Sequence, residues 1–445
     1  MMRIISLSLV SILSLSNAII AGDDIKPADT EVLQIEEEKE AFGTLSGQFR
    51  TFYIDRTYTG IVENNRNSLN TGGYIGYDTR AFNGLSLGLK AYGTYGFEIH
   101  DGDKSTKQYD PSLFGDDFDD YIFLGEVYLN YENGNTDIKI GRQRLDTPLA
   151  GADDARMLPN LFEAAFIANT DLAYTTLIAG HITKESVGTF GNVYGEAGAL
   201  SIQSGYGLGY KLGTSGDFAT MGEIALGEGT DSDGISTIAF IYRGVNGLKF
   251  QAWDYYAYDI LNALYLQADY HFSGITASAQ YINETDTGDS LAGEVDSNFL
   301  GFKLGTTYKH LSGYVAYSMT DSSDDAFMNG GIITPWGGMP AFTQAMATRH
   351  QFLADTDTSK IALTYDFKDT GLDIKATAFY TSFDIGKQNS YINGTDWTAS
   401  ESGFDIKYNP SGIKGLNLRF RGNFPTDFKP DLDWAEYRFI VNYNF

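Results

Sequence analysis

The sequence predicts an all-β fold, a transmembrane antiparallel β-barrel of 18 strands. Three observations carry this prediction. From Gly43 to the last residue, apolar residues recur at every second position, the period of a strand with one apolar and one polar face. The connections between these stretches alternate short and long, as they do when tight turns lie on one side of a membrane and loops on the other. Aromatic residues make up 14% of the chain, with 30 Tyr, 29 Phe and 50 Gly, yet mean hydropathy is slightly negative. A barrel hides its membrane character in this way, because every strand is half polar.

The chain begins MMRIISLSLVSILSLSNAIIAGDD. Arg3 precedes an apolar run, Ile4 to Leu15, and small residues follow, so residues 1–21 read as a secretory signal cleaved after Ala18 or Ala21. No later apolar stretch reaches the roughly 18 residues that a membrane-spanning helix needs. Residues 22–42 are strongly acidic and read as a periplasmic extension, helical or disordered. Residues 43–445 read as the barrel domain.

Within the barrel the alternation can be followed strand by strand. In ALYLQADYHF, Leu264, Leu266, Ala268, Tyr270 and Phe272 share one face, and Tyr265, Gln267, Asp269 and His271 the other. SKIALTYDF, GLDIKATAFY and KGLNLRFRGN repeat the pattern. Short turns fall near 83, 133, 170, 245, 273, 311, 369 and 412. Long polar segments cover 55–71, 99–120, 145–160, 183–233, 284–296, 321–357, 384–400 and 425–433, with a tight exception near 259. Eight short turns with both termini on their side give 18 strands. If 200–226 forms a further hairpin the count is 20; 16 is the smaller alternative. A ring of this size leaves an aqueous lumen. The last stretch, EYRFIVNYNF, puts Tyr443 and Phe445 on the lipid face, and these two are expected to act as an assembly signal.

One segment stands apart: IKIGRQRLDTPLAGADDARMLPNLFEAAF. A strand runs into a loop with Pro148 and Pro159 and the charges Asp146, Asp153, Asp154 and Arg156. Prolines weaken a ladder, and acids are costly in lipid, so these residues must meet water. Here the sequence resembles the porin D (OprD-type) family of outer-membrane channels, which carry a comparable G-x-Q/R…TP…D-x-R-x-x-P stretch. The resemblance implies 18 strands, and trimers in many members. It also implies that this loop folds inward to narrow the pore, which makes Asp146, Asp153, Asp154 and Arg156 constriction residues. Acids on such a loop facing wall cations create a transverse field that favours polar solutes. The wall candidates are Arg50, Arg80, Lys90, Lys139, Lys303, Lys375, Arg419, Arg421 and Arg438, with Arg142 and Arg144 at the root of the loop. Arg142 falls in the lipid phase of Ile138 and Ile140, so either a bulge re-aims it or it lies above the membrane.

The remaining features are exclusions and expectations. The formal net charge of −27 argues against a nucleic-acid partner, which needs a basic patch. The absence of cysteine excludes thiol catalysis and disulfides. No cofactor is expected. The acid clusters at 115–120, 227–234 and 321–325 are solvated loops that could attract Ca²⁺, although EF-hand spacing is absent. His181 and His271 lie on strands without a nucleophile motif, so a barrel enzyme of lipase or protease type is the rival reading, and a structural or adhesin barrel another. The expectation is an outer-membrane porin that is not an enzyme. It would be a passive channel for small hydrophilic solutes and ions, with a mild cation preference. Its expected partners are the lipid bilayer, lipopolysaccharide, the barrel-assembly machinery and further copies of itself in a trimer.

Overall fold

A computed structural model describes residues 42–105, 107–193, 215–338 and 340–445. The expected signal, the acidic extension up to residue 41, and residues 194–214 of the doubtful hairpin lie outside the described residues.

The chain forms β1 (Gly43–Gly60), β2 (Asn64–Thr79), β3 (Leu85–Gly96), β4 (Tyr121–Asn133), β5 (Thr136–Gln143), β6 (Leu161–Asn169) and β7 (Thr175–Ser186). After β8 (Ala219–Thr220) and helix α1 (Met221–Leu226) come β9 (Ile235–Tyr242), β10 (Leu248–Ala257), β11 (Leu261–Phe272), β12 (Ile275–Asp286) and β13 (Asp296–Tyr308). The ring is completed by β14 (Leu311–Thr320), β15 (Thr356–Asp366), β16 (Ile374–Ile385), β17 (Trp397–Tyr408), β18 (Leu416–Thr426) and β19 (Leu432–Asn444). Neighbours pair antiparallel throughout. β19 closes on β1, from Gln48 opposite Asn444 to Gly60 opposite Leu432. Closure leaves no free sheet edge, which a bilayer demands.

The sheet has 19 strands, but β8 is a two-residue spur on the end of β7, and β7 pairs directly with β9. Removing the spur leaves a ring of 18, which sets aside 20 and 16. The stretch TMGEIALGE, read as half of a hairpin, is helix α1. Thr220 Oγ1 accepts from the Glu223 amide while the Glu223 carboxylate accepts from the Thr220 amide, a capping box. The T-x-x-E spacing was the available signal. The expected long segment 55–71 is corrected too: only residues 61–63 separate β1 from β2. These strands continue beyond the apolar band, where both faces are polar and the alternation fades.

Outward residues are apolar and exposed: Leu87, Leu89, Leu304, Val315, Ile361 and Leu363 among them. Exposed aromatics rim this band at the short-turn end, including Phe49, Tyr270, Tyr308, Tyr365, Tyr443 and Phe445. Such a continuous apolar surface is costly in water and matches a bilayer. No described helix is long and apolar enough to cross a membrane.

The inside is not empty. Loop 144–160, helix α1 and loop 321–355 fold into the ring and form one apolar core with its wall. Leu149, Met221, Ile224, Ile333 and Trp336 pack there with the inward Trp253, Tyr255, Tyr265, Phe299 and Phe383. A smaller core on the opposite side joins Tyr109, Leu113 and Phe114 of loop 97–120 to Phe52 and Ile54 of β1.

Candidate pore constriction

The constriction begins where β5 stops. After Gln143 the chain turns inward, and a tight turn forms in which Thr147 donates from its amide to the Ala150 carbonyl at 3.0 Å. The loop then joins a second one. The Gly151 amide donates to the Trp336 carbonyl at 3.0 Å, and Ala150 bridges to Gly337. Gly337 has φ +84°, and a Cβ there would fall 2.4 Å from the Gly151 carbonyl oxygen, so glycine permits this approach. The Trp336 indole N–H donates to the Met221 carbonyl at 3.2 Å, which ties in helix α1.

Loop 321–355 is held by inward side chains of successive strands. Glu284 of β12 accepts from the Ile333 amide at 2.7 Å, and Gln280 of β12 from the Phe342 amide at 2.7 Å. Lys360 of β15 donates to the Gln344 carbonyl at 2.5 Å, and Glu401 of β17 accepts from the Thr348 amide at 2.7 Å and the Ala347 amide at 3.1 Å. These wall positions are lumen-facing, so this loop lies inside the barrel. One inward loop was expected from the sequence; two loops and a helix fold inward. Proline spacing marked the first loop. The second offered only length and scattered apolar residues.

The charges form two groups. The first is partly open to water. Arg50 of β1 lies 2.6 Å from Asp154, Arg144 lies 3.2 Å from Asp154 and 3.4 Å from Asp146, and Arg349 lies 3.1 Å from Asp153. On the neighbouring wall Arg419 donates to Asp405 at 2.8 Å, with Arg421 at 3.8 Å from the same carboxylate. Arg144 keeps 38% of its side chain exposed and Arg419 22%. Burial alone would raise the Asp154 carboxyl, but the Arg50 and Arg144 guanidiniums hold it well below the usual carboxylate range.

The second group is dry. Glu436 of β19 accepts from Arg56 at 2.6 Å, is bonded to Arg438 and lies 3.7 Å from Arg156. Arg56 and Arg66 reach Asp110 at 3.1 and 3.4 Å. Burial would raise the Asp110 carboxyl, and the Arg56 and Arg66 guanidiniums lower it on balance. Arg156 and Arg438 are each 1% exposed. Both were expected to face solute; instead Arg156 donates to Ser112 of loop 97–120 at 3.1 Å and Arg438 is bonded to the buried Glu436.

Other candidates fall elsewhere. Arg80 is exposed in the short turn after β2, away from the constriction, because β2 ends at Thr79. Arg142 stays on the outward phase, opposite the exposed Val127; it pairs with Glu163 at 3.7 Å and lies over the Phe218 ring at 4.2 Å, so it is not in the pore wall. Lys139 is buried over the Tyr128 ring at 3.6 Å, and Lys90 lies 3.3 Å from Glu126. Lys375 opposes Asp366 and Lys407 near the short-turn end. Phe445 stacks on Phe49 at 5.9 Å and on Tyr443 at 6.3 Å at the rim. Sequence reasoning missed Arg349, Arg56, Arg66, Asp110, Asp405 and Glu436, whose partners are distant in the chain. His181 meets only Ser236 within hydrogen-bond reach and His271 only Thr276 among the described residues. No group of three or more His, Cys, Asp or Glu among the described residues could hold a metal ion.

Comparisons with known proteins agree with this geometry. The profile of the family described as outer membrane porin, OprD family, matches residues 42–445. The porin-like protein GalP of Pseudomonas putida is 26% identical over 148 residues, which cover 31% of this chain and only 34% of GalP. The crystal structure of Pseudomonas aeruginosa OccK9 (OpdG) superposes with a TM-score of 0.73 at 21% identity, covering 92% of this chain and 99% of that one. P. aeruginosa OpdK with vanillate gives 0.69 at 17% identity, covering 90% of this chain and 98% of that one. P. aeruginosa OccK2 (OpdF) in complex with glucuronate gives 0.68 at 18% identity, covering 91% and 98%. A closed 18-stranded ring with inward loops, matched by the family profile along its whole length, makes this chain a member of the OprD family of outer-membrane porins.

Proposed function

We propose that the pore passes small hydrophilic solutes bearing a carboxylate, by passive diffusion, without catalysis and without a cofactor. One observation carries this reading. The water-facing charge group at the narrow part joins five arginines (50, 144, 349, 419 and 421) to four carboxylates (146, 153, 154 and 405). That leaves an excess of one positive charge there, in a chain whose formal net charge is −27, and the dry group beside it holds four arginines (56, 66, 156 and 438) on two carboxylates (110 and 436). A guanidinium fork suits a carboxylate geometrically. The bound molecules in the OpdK and OccK2 structures, vanillate and glucuronate, are both carboxylates. The test is single-channel recording with glucuronate and with a neutral sugar of the same size. Glucuronate should interrupt the current at concentrations where the sugar does not; equal behaviour would overturn the reading.

A second reading concerns bulk ions at the mouth. Asp117, Asp119, Asp231, Asp233, Asp324 and Asp325 are exposed on the long loops. They support a mild cation preference within about one Debye length, roughly 8 Å at physiological salt, and are where Ca²⁺ would collect. That preference should fade toward molar salt. The apolar band supports the bilayer and lipopolysaccharide as surroundings. Tyr443 and Phe445 support contact with the barrel-assembly machinery, which a lower assembled yield of Phe445→Ala would register. A homotrimer is the assembly the family suggests, and cross-linking in membranes tests it.

A further inference from the structure

We propose a second anion station in the lumen, built by Lys303 of β13 and Lys360 of β15. It would receive a solute's carboxylate on the short-turn side of the constriction. The inference rests on the carboxylate reading above and adds a site that the arginines do not account for.

Both lysines are on the inward phase. Lys303 opposes Ala316, and Ala316 opposes Lys360, so they stand two strands apart with one methyl between them. Two strand spacings are about 10 Å, a span that two flexible ammoniums can close on one small anion. Their surroundings are aromatic. The Lys303 ammonium lies 4.5 Å from the centre of the Phe342 ring and 6.0 Å from that of Tyr314. The Lys360 ammonium lies 5.7 Å from Tyr314 and 5.2 Å from Phe379.

Their position relative to the loops follows from burial along the strands. On β14, inward Tyr314 is half-buried, whereas Ser318, one turn of the pleat beyond Ala316, is fully buried under loop 321–355. The two lysines, both half-buried, therefore sit at the lower edge of the loop, facing open lumen. Phe342 and Gln344 of the loop form the roof, and the Gln344 carbonyl takes one donor from Lys360.

The chemistry then selects the ligand. Ring faces attract an ammonium but accept few of its N–H donors. Lys303 makes no hydrogen bond and no ion pair among the described residues, and Lys360 has only the Gln344 carbonyl. The acids in the same register row are Glu401, which is separated from Lys360 by Thr381 and accepts from the Ala347 and Thr348 amides, and Asp269. Asp269 is separated from Lys303 by Ser278 and accepts from the Gln267 amide group at 2.7 Å. Two ammoniums with spare donors, flanked by flat apolar rings, fit an anion whose carboxylate is joined to a flat apolar part. Arginines on β1 and β18 and lysines on β13 and β15 would then hold the solute from two parts of the wall, on either side of the narrow point.

The probe is benzoate, applied from each side of a single channel, with block normalised to each variant's own open current. Lys303→Gln and the Lys303→Gln/Lys360→Gln pair should lower the rate of benzoate block from the short-turn side severalfold. Lys360→Arg, which keeps the charge, should restore most of the wild-type rate. Arg419→Gln should instead weaken block from the loop side. Benzyl alcohol, which has the ring without the charge, should respond to none of these changes. If the double variant is blocked by benzoate from the short-turn side as fast as wild type, the station is overturned while the carboxylate reading stands. If wild type is not blocked from either side, both fall.

Discussion

The two halves of the lumen are built from the same strands and turned to opposite uses. Along β6 to β16 the inward positions carry Trp253, Tyr255, Tyr265, Phe299 and Phe383, and the infolded loops cover them until they are dry. Along β18, β19, β1 and the root of loop 144–160 the inward positions carry arginine, and the group that includes Arg144 and Arg419 stays partly wet. The outward face is alike on both sides. Burial of apolar area at roughly 25 cal/mol per Å² is what fixes the loops, and it needs no side chain of particular chemistry. The wet pairs of the charged half would not hold a loop in place alone, since solvated ion pairs contribute roughly 0–1 kcal/mol each. The packed half thus positions the charged one. Arg349 and Asp153 meet because Trp336 and Leu149 are anchored a few residues away.

The comparison breaks most plainly if the bridge between the halves is removed. Deleting residues 150–156 takes away the Gly151–Trp336 contact, Asp153, Asp154 and Arg156 together. Single-channel conductance of the assembled variant should rise severalfold. An unchanged conductance would mean that the loop does not define the narrow point. A more local change acts on the packed half alone. Trp336→Ala leaves a cavity among buried neighbours and loses the bond to Met221, a loss of about 3–5 kcal/mol for truncating a buried Trp. The barrel itself should stay folded, since the ladder is untouched. The current should become noisy, with added openings of higher conductance; a quiet trace would show that the charged half can hold the loops.

On the charged half, Asp153→Asn with Asp154→Asn removes two negative charges, takes away the carboxylates facing Arg50 and Arg349, and leaves Arg144 with Asp146 alone. The reversal potential in a salt gradient should move toward anion preference, most at low salt, where screening is least. A shift toward cations would place these acids outside the ion path.

What could be read from the sequence follows the same division. The ring was legible because strand period is local: ALYLQADYHF declares its two faces without knowing its neighbours. Turn lengths gave the strand number, since β4–β5 and β11–β12 need only a few residues to reverse. The prolines and acids of the first inward loop marked it as a segment that must meet water, and its inward fold was legible through the family resemblance. Nothing local marked Glu436 as the partner of Arg56, because they are 380 residues apart and meet only on ring closure. Likewise Arg156 looked like a pore residue by its neighbours in the chain, yet loop 97–120 covers it. Alternation also overreached at TMGEIALGE, where a capping box outweighs a two-residue period.

The smallest effect expected is that of acid, and its sign can be worked out from Asp154. In an unfolded chain an aspartate titrates at about 3.9. In the folded pore the Arg50 and Arg144 guanidiniums hold it well below that. A group depressed in this way adds stability that is fully present above the unfolded value, and the contribution is lost as pH falls through the folded one. The junction of loop 144–160 with β1 should therefore be as firm at pH 5 as at pH 7. It should begin to loosen only below about pH 4, and Asp110, lowered by Arg56 and Arg66, should behave alike. Single-channel conductance of wild type should be flat from pH 7 to about pH 4.5 and become noisy below that. In Asp154→Asn the Arg50 and Arg144 contacts are uncharged on one side at every pH, so the noise should already be present at neutral pH and change little with acid. Onset of noise between pH 5 and 7 in wild type would mean that a group other than these carboxylates holds the constriction.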